Sequence, residues 1–145
     1  MGHAEGVCHV FVDCAADPRK TLAVVVDAKT DYPSACNAAE TLLLHERTLA
    51  SGLADRVLRA LRAAGVTLYG GPRAMAAGLT EQVASDLGTE YGSLSMTVEV
   101  VSGVHEAVQH IHTYGRYYLL HGRHLLCSKH KLYLFACTVD TPRSY

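Results

Sequence analysis

Four short apolar runs, at residues 7–12, 41–45, 66–69 and 95–101, are separated by segments with helical periodicity. That alternation constrains the fold more than any other feature of the chain. Strands that alternate with helices are most simply joined as parallel neighbours in one sheet, with the helices packed on its faces. The expected class is therefore α/β, with a mostly parallel sheet flanked by helices.

The pattern is specific enough to place elements. Asp17-Pro18 offers an N-cap followed by proline at the first helical position, and predicts a helix over 18–29. The clearest helix spans 49–64, with Leu53, Val57, Leu58 and Leu61 on one face and Arg56, Arg59 and Arg62 on the other. Three arginines at that spacing would suit a phosphate, but a solvated helix face is the commoner arrangement. Gly70-Gly71-Pro72 predicts a turn, followed by a short helix over 73–77. In 95–101, Thr97, Glu99 and Val101 alternate against Met96, Val98 and Val100. Ser102 is then expected to cap a helix to 113 that buries Val104, Ala107, Val108 and Ile111.

A chain of 145 residues is long enough for one domain with a core of its own. Its formal net charge of −1 gives no electrostatic footprint for nucleic acid or a membrane surface. No apolar run approaches the roughly 20 residues needed to span a bilayer. Met1-Gly2-His3-Ala4-Glu5-Gly6 lacks the charged-then-apolar pattern of a secretory signal. A cytoplasmic location is expected, or an organellar one if a leader has been lost. Five cysteines, an odd number without dense spacing, fit reduced thiols.

One of those thiols stands out. Cys36 lies between Asp31-Tyr32-Pro33 and an alanine-rich segment expected to begin a short helix over 36–40. A thiol at a helix start would face the positive end of the dipole and unpaired N–H groups, which favour the nucleophilic thiolate. A free cysteine is more commonly a small buried hydrophobe.

Four blocks add to that reading. They are Gly-His-Ala-Glu-Gly-Val-Cys-His-Val-Phe-Val-Asp at 2–13, Asp-Ala-Lys-Thr-Asp-Tyr-Pro-Ser-Ala-Cys-Asn-Ala at 27–38, Val-Thr-Leu-Tyr-Gly-Gly-Pro at 66–72, and Val-Glu-Val-Val at 98–101. The last leads into His110-Ile111-His112-Thr113-Tyr114-Gly115. In order and spacing they resemble γ-glutamyl phosphate reductase (glutamate-5-semialdehyde dehydrogenase). This is a branch of the aldehyde dehydrogenase superfamily, and also the C-terminal half of bifunctional pyrroline-5-carboxylate synthases. The resemblance implies that residues 1–115 are part of the reductase catalytic domain. It implies that Cys36 is the nucleophile for γ-glutamyl phosphate, the small-molecule substrate, with NADPH as hydride donor in proline biosynthesis. Asn37, with the Cys36 N–H, is a candidate oxyanion donor or else a helix cap. Glu90, in Thr89-Glu90-Tyr91-Gly92, corresponds loosely to a glutamate that touches the nicotinamide ribose, and is otherwise a solvent-facing turn residue.

Other candidates are weaker. His9 in a predicted strand reads first as a hydrogen-bonded core histidine, and Cys8 beside it as a packed thiol. His105-Glu106-Ala107-Val108-Gln109-His110 has one residue too many for the zincin motif, since i and i+5 point roughly 140° apart on a helix. His121, His124, Cys127 and His130 are evenly spaced, which seldom closes a tetrahedron around zinc. No metal site is expected. There is also no G-x-G-x-x-G or P-loop to cradle a cofactor's phosphates.

The resemblance ends at Gly115. The family signature continues with small hydroxyl residues, a histidine and an acidic residue, where this chain has Arg116-Tyr117-Tyr118-Leu119-Leu120. Residues 116–145 hold four of the eight tyrosines and five of the thirteen Lys/Arg against one acidic residue, Asp140. They are expected to be a divergent tail. The whole is expected to be a fragment that does not turn over alone. Homo-oligomers, or association with full-length enzyme as a catalytically dead interaction module, are the expected partnerships.

Overall fold

The computed structural model describes residues 7–115, together with the backbone of 124–127 and 132–135. The elements run β1 (Cys8–Val12), α1 (Pro18–Thr30), β2 (Ala39–His45), α2 (Arg47–Ala50), α3 (Leu53–Ala63), β3 (Thr67–Gly70), α4 (Pro72–Ala76), β4 (Gln82–Val83), β5 (Ser95–Val101), α5 (Val104–Tyr114), β6 (His124–Cys127) and β7 (Leu132–Phe135). They form one sheet in the order β4-β3-β5-β2-β1-β7-β6. The first five strands in that order are parallel neighbours, and β7 and β6 add antiparallel at the β1 edge. The expected mostly parallel α/β architecture is the one observed.

Strand alternation divides the core. Val10, Val12, Leu42, Leu44, Met96, Val98 and Val100 pack with Val25 of α1 and Leu53, Val57, Leu58 and Leu61 of α3. On the other face, Phe11, Leu43 and Val101 meet Ala107 of α5, with Val104, Val108 and Ile111 around them. Arg56, Arg59 and Arg62 are exposed, and Arg62 Nη2 donates to the Leu79 carbonyl at 2.7 Å. Asp17 caps α1 by accepting from the Lys20 N–H at 2.9 Å.

Several boundaries differ from expectation for local reasons. The helix predicted over 49–64 is two helices, because Gly52 adopts φ 72°, a left-handed conformation that interrupts the helix. Ser102 does not cap α5. Gly103 holds that position, and Glu106 reaches back to accept the Ser102 N–H at 2.6 Å. A Cβ on Gly71 would collide with the Glu99 carboxylate, and the space it leaves lets Glu99 accept the Ala74 N–H at 2.9 Å. The double glycine thus admits a buried carboxylate to the start of α4.

The largest correction is at Cys36. No helix spans 36–40. The chain makes two successive turns, with Ala35 N–H to the Tyr32 carbonyl at 3.0 Å and Ala38 N–H to the Ala35 carbonyl at 2.9 Å, and then enters β2 at Ala39. Alanine's helix propensity loses here to a strand continuing into Leu42, Leu43 and Leu44, all fully buried between two layers.

Candidate active site

The loop from Asp31 to Ala38 leaves the C-terminus of α1 and enters the amino end of β2. Cys36 and Asn37 are exposed on it. The dipole argument for the thiol therefore has no helix start to act through. Another feature of the expected site is present. Among the described residues, neither the Cys36 nor the Asn37 backbone N–H is bonded within the chain, so both remain available beside the thiol. The Cys36 carbonyl is held from below, accepting from Cys8 Sγ at 3.4 Å. Cys8 is fully buried at the start of β1, and Cys14 and Cys36 are free thiols.

The base of the loop is closed by an ion pair that sequence reasoning passed over. Lys29, in the last turn of α1, places Nζ 3.0 Å from Glu40 Oε2, with the two side chains 0% and 2% exposed. The same carboxylate accepts the Tyr91 N–H at 3.1 Å and the Gly92 N–H at 3.3 Å. Burial pushes the Glu40 carboxyl up and the Lys29 ammonium down from their ordinary values. Their mutual attraction, and the two backbone donors on Glu40, oppose that shift. The signal for this pair was a lone carboxylate opening an apolar strand, eleven residues after a lysine on the preceding helix.

Glu40 is aimed by an irregularity in the sheet. Cys8 pairs with Ala39 but His9 pairs with Thr41, which leaves Glu40 as an extra residue on β2. Such bulges re-aim a side chain. Tyr91 is fixed in turn: its ring stacks on Tyr69 at 5.3 Å and 9°, and its hydroxyl lies 2.9 Å from Thr97 Oγ1. Glu90, the candidate cofactor contact, is exposed one residue before this anchor. The structure thus brings the Cys36 loop and the Glu90 turn to one point, the Glu40 carboxylate.

His9 is a core histidine, as its position suggested. Its Nδ1–H donates to the Val7 carbonyl at 2.8 Å, while Nε2 is buried without a partner. The ring meets His110 edge-on at 5.5 Å, and His110 Nε2 and Thr41 Oγ1 are also buried and unpartnered. Burial, then the other imidazole's charge, lowers His9 from its usual value to about 4 despite the Val7 bond. Burial likewise lowers His110 to about 4, against the nearby Glu106. His105 is exposed and His110 buried, so the two point apart. Among the described residues, no three or more His, Cys, Asp or Glu are grouped to hold a metal ion. The ligand set considered in the tail lies outside the described side chains. Among the described residues, no helix is long and apolar enough to cross a membrane.

Similarity to known proteins agrees with the blocks around Cys36. Over 115 residues the chain is 48% identical to delta-1-pyrroline-5-carboxylate synthase 1 of Oryza sativa subsp. japonica, covering 79% of this chain. It is 47% identical over 116 residues to the gamma-glutamyl phosphate reductase of a Picosynechococcus species. The matched stretch belongs to the γ-glutamyl phosphate reductase family. The crystal structure of gamma-glutamyl phosphate reductase from Thermotoga maritima superposes with a TM-score of 0.70 at 37% identity, over 76% of this chain and 27% of that one. The chain spans 16% of the rice protein and 27% of the Picosynechococcus reductase. No family-level sequence profile matches it.

Proposed function

We propose that this chain carries the acyl-accepting part of a γ-glutamyl phosphate reductase, with Cys36 as nucleophile. The observation that supports it is an exposed thiol, with two unbonded N–H groups beside it, on a loop anchored to the core of a reductase-type sheet. The Cys36 thiolate attacks the acyl carbon of γ-glutamyl phosphate, and a C–S bond forms. The C–O bond to the phosphate then breaks, and inorganic phosphate leaves with the electron pair. Asn37 and the Cys36 N–H donate to the oxygen that is negative in between.

In the family reaction NADPH supplies hydride, which takes the thioester to glutamate 5-semialdehyde. The described residues do not fit that cofactor: the Gly70-Gly71 turn from β3 into α4, where its phosphates would need a cradle, is already filled by the Glu99 carboxylate, which accepts the Ala74 N–H at 2.9 Å. The chemistry of these residues therefore ends at the thioester, and the isolated chain has no reductase turnover. A second reading, as a catalytically dead module that joins intact homologues or copies of itself, draws on exposed apolar side chains. Tyr32 on the Cys36 loop and Val83 are each 67% exposed.

One experiment tests both readings. The purified chain is given γ-glutamyl phosphate and NADPH, once alone to follow its mass and NADPH oxidation, and once with intact reductase to follow co-purification. The expected result is a hydroxylamine-labile acyl adduct, absent in Cys36→Ser, with no NADPH oxidation by the chain alone. A chain that takes no acyl group but co-purifies with intact reductase would leave only the second reading. NADPH oxidation by the chain alone, lost in Cys36→Ser, would overturn the statement that its chemistry stops at the thioester.

A further inference from the structure

We propose that Glu40 is a positioning residue, whose carboxylate clamps the Cys36 loop to the 91–92 backbone and so sets where the thiol stands. The proposal rests on Cys36 being the nucleophile, but the clamp can be read without any acyl transfer. Glu40 is one residue beyond Ala39, where the loop becomes sheet, and Lys29 lies two residues before Asp31, where the loop begins. Their 3.0 Å contact therefore ties the two ends of the loop together.

The remaining acceptor capacity of the carboxylate is spent on Tyr91 and Gly92, which follow Glu90 in an irregular segment. Those two N–H groups belong to neither a helix nor a strand, so Glu40 is what satisfies them. The Tyr91 side is rigid, through its stack on Tyr69 and its bond to Thr97. A loop tied to a rigid point keeps its geometry, which is what a reacting atom needs, because small displacements are costly for catalysis. The bulge that leaves Glu40 unpaired with β1 also breaks the regular ladder, a cost a purely structural ion pair would not require.

Two double variants separate positioning from mere stability. Both remove the ion pair: Tyr91 and Gly92 donate to different oxygens of Glu40, so Lys29→Met with Glu40→Gln keeps an acceptor for one of them, whereas Lys29→Met with Glu40→Leu keeps none. The readouts are amide exchange at Tyr91 and Gly92, and the rate of iodoacetamide labelling of Cys36 relative to Cys14 in the folded chain. The leucine variant is expected to exchange at least one of those amides about tenfold faster than the glutamine variant, and to shift the Cys36-to-Cys14 labelling ratio several-fold. The glutamine variant is expected to stay within about twofold of the unaltered chain in the labelling ratio and at the one amide that keeps the carbonyl.

Equal exchange and equal labelling ratios in the two variants, whatever their melting temperatures, would overturn the proposal. If either variant fails to fold, the unaltered chain decides: Tyr91 and Gly92 amides exchanging as fast as that of exposed Ser93 would equally overturn it. A Cys36 that never acylates would sink the nucleophile reading alone, since amide exchange reports the clamp independently.

Discussion

The two ends of the parallel strands each carry an ion-pair network, and the networks are built on opposite principles. At the amino ends, Lys29 and Glu40 are a single pair with almost no exposure, and the carboxylate is shared with two backbone N–H groups. At the carboxyl ends of β3, β5 and β2, Arg73 reaches Glu106 with 2.9 Å bonds to both carboxylate oxygens, and Glu46 at 3.2 Å, yet the three side chains are 43%, 39% and 52% exposed. In open α/β sheets ligands usually bind beyond the carboxyl ends of the strands. Here the exposed candidate nucleophile sits at the amino ends, beside the buried pair. Charge is desolvated where geometry must be held, and left wet where only neighbouring loops are joined.

The contrast is broken most directly by removing one charge from the buried end. Lys29→Met leaves the Glu40 carboxylate without its cation in a site that water does not reach. The expected loss is about 3–5 kcal/mol of unfolding free energy, read from the urea midpoint at unchanged slope. Glu40→Gln added to that variant removes the stranded charge and recovers part of the loss. A loss below about 1 kcal/mol for Lys29→Met would show that the pair is solvated in practice, and would erase the distinction between the two ends.

Acid sharpens the comparison, because the two ends titrate in different windows. His9 and His110, at the amino-end side of β1, have folded values of about 4, depressed from the usual 6.5 by burial. The unfolded chain binds more protons than the folded one between those values. Stability is therefore full above about pH 6.5 and falls as pH drops towards 4, by on the order of 3 kcal/mol for each imidazole that stays neutral in the fold. Glu106 is held below the ordinary carboxylate range, first by its hydrogen bonds from Ser102 and then by Arg73. Its contribution is present above its unfolded value and is lost only in stronger acid. A urea-midpoint profile flat from pH 7 to 5 would contradict the buried neutral imidazoles. With His110→Phe, the decline between about pH 6.5 and 4 is expected to shrink.

The parts of this arrangement that sequence reasoning reached are those with one dominant physical cause. Asp17-Pro18 starts α1, and the alternation of Met96, Val98 and Val100 against Thr97, Glu99 and Val101 resolves into two faces of β5. The exposed Arg56, Arg59 and Arg62 also follow from spacing alone. Elements decided by competition were not legible. Local propensity favoured a helix after Cys36, but the burial of Leu42, Leu43 and Leu44 between two helical layers drew Ala39 into the sheet. A lone carboxylate opening an apolar strand was the one local trace of the Lys29–Glu40 pair, but the bulge opposite Cys8 and the contact to a segment fifty-one residues away have no local pattern. Glu99 likewise reads as one position in an alternating strand, and only Gly71 hints that something must approach closely.

The smallest expected effect belongs to the wet end, and it tests the comparison from the other side. Arg73→Met deletes all three contacts to Glu106 and Glu46 at once. Both carboxylates then turn to water at little cost, because they are already partly hydrated, and Glu106 keeps its Ser102 N–H. The expected loss is about 0–1 kcal/mol in the urea midpoint, shrinking further in molar salt as the exposed charges are screened. A loss comparable to that of Lys29→Met would mean that the contact of Arg73 Nη1 with both Glu106 oxygens outweighs solvent screening. Exposure would then be the wrong measure for ranking the two networks, and the carboxyl ends would hold β3, β5 and β2 in place as firmly as the amino ends hold Cys36.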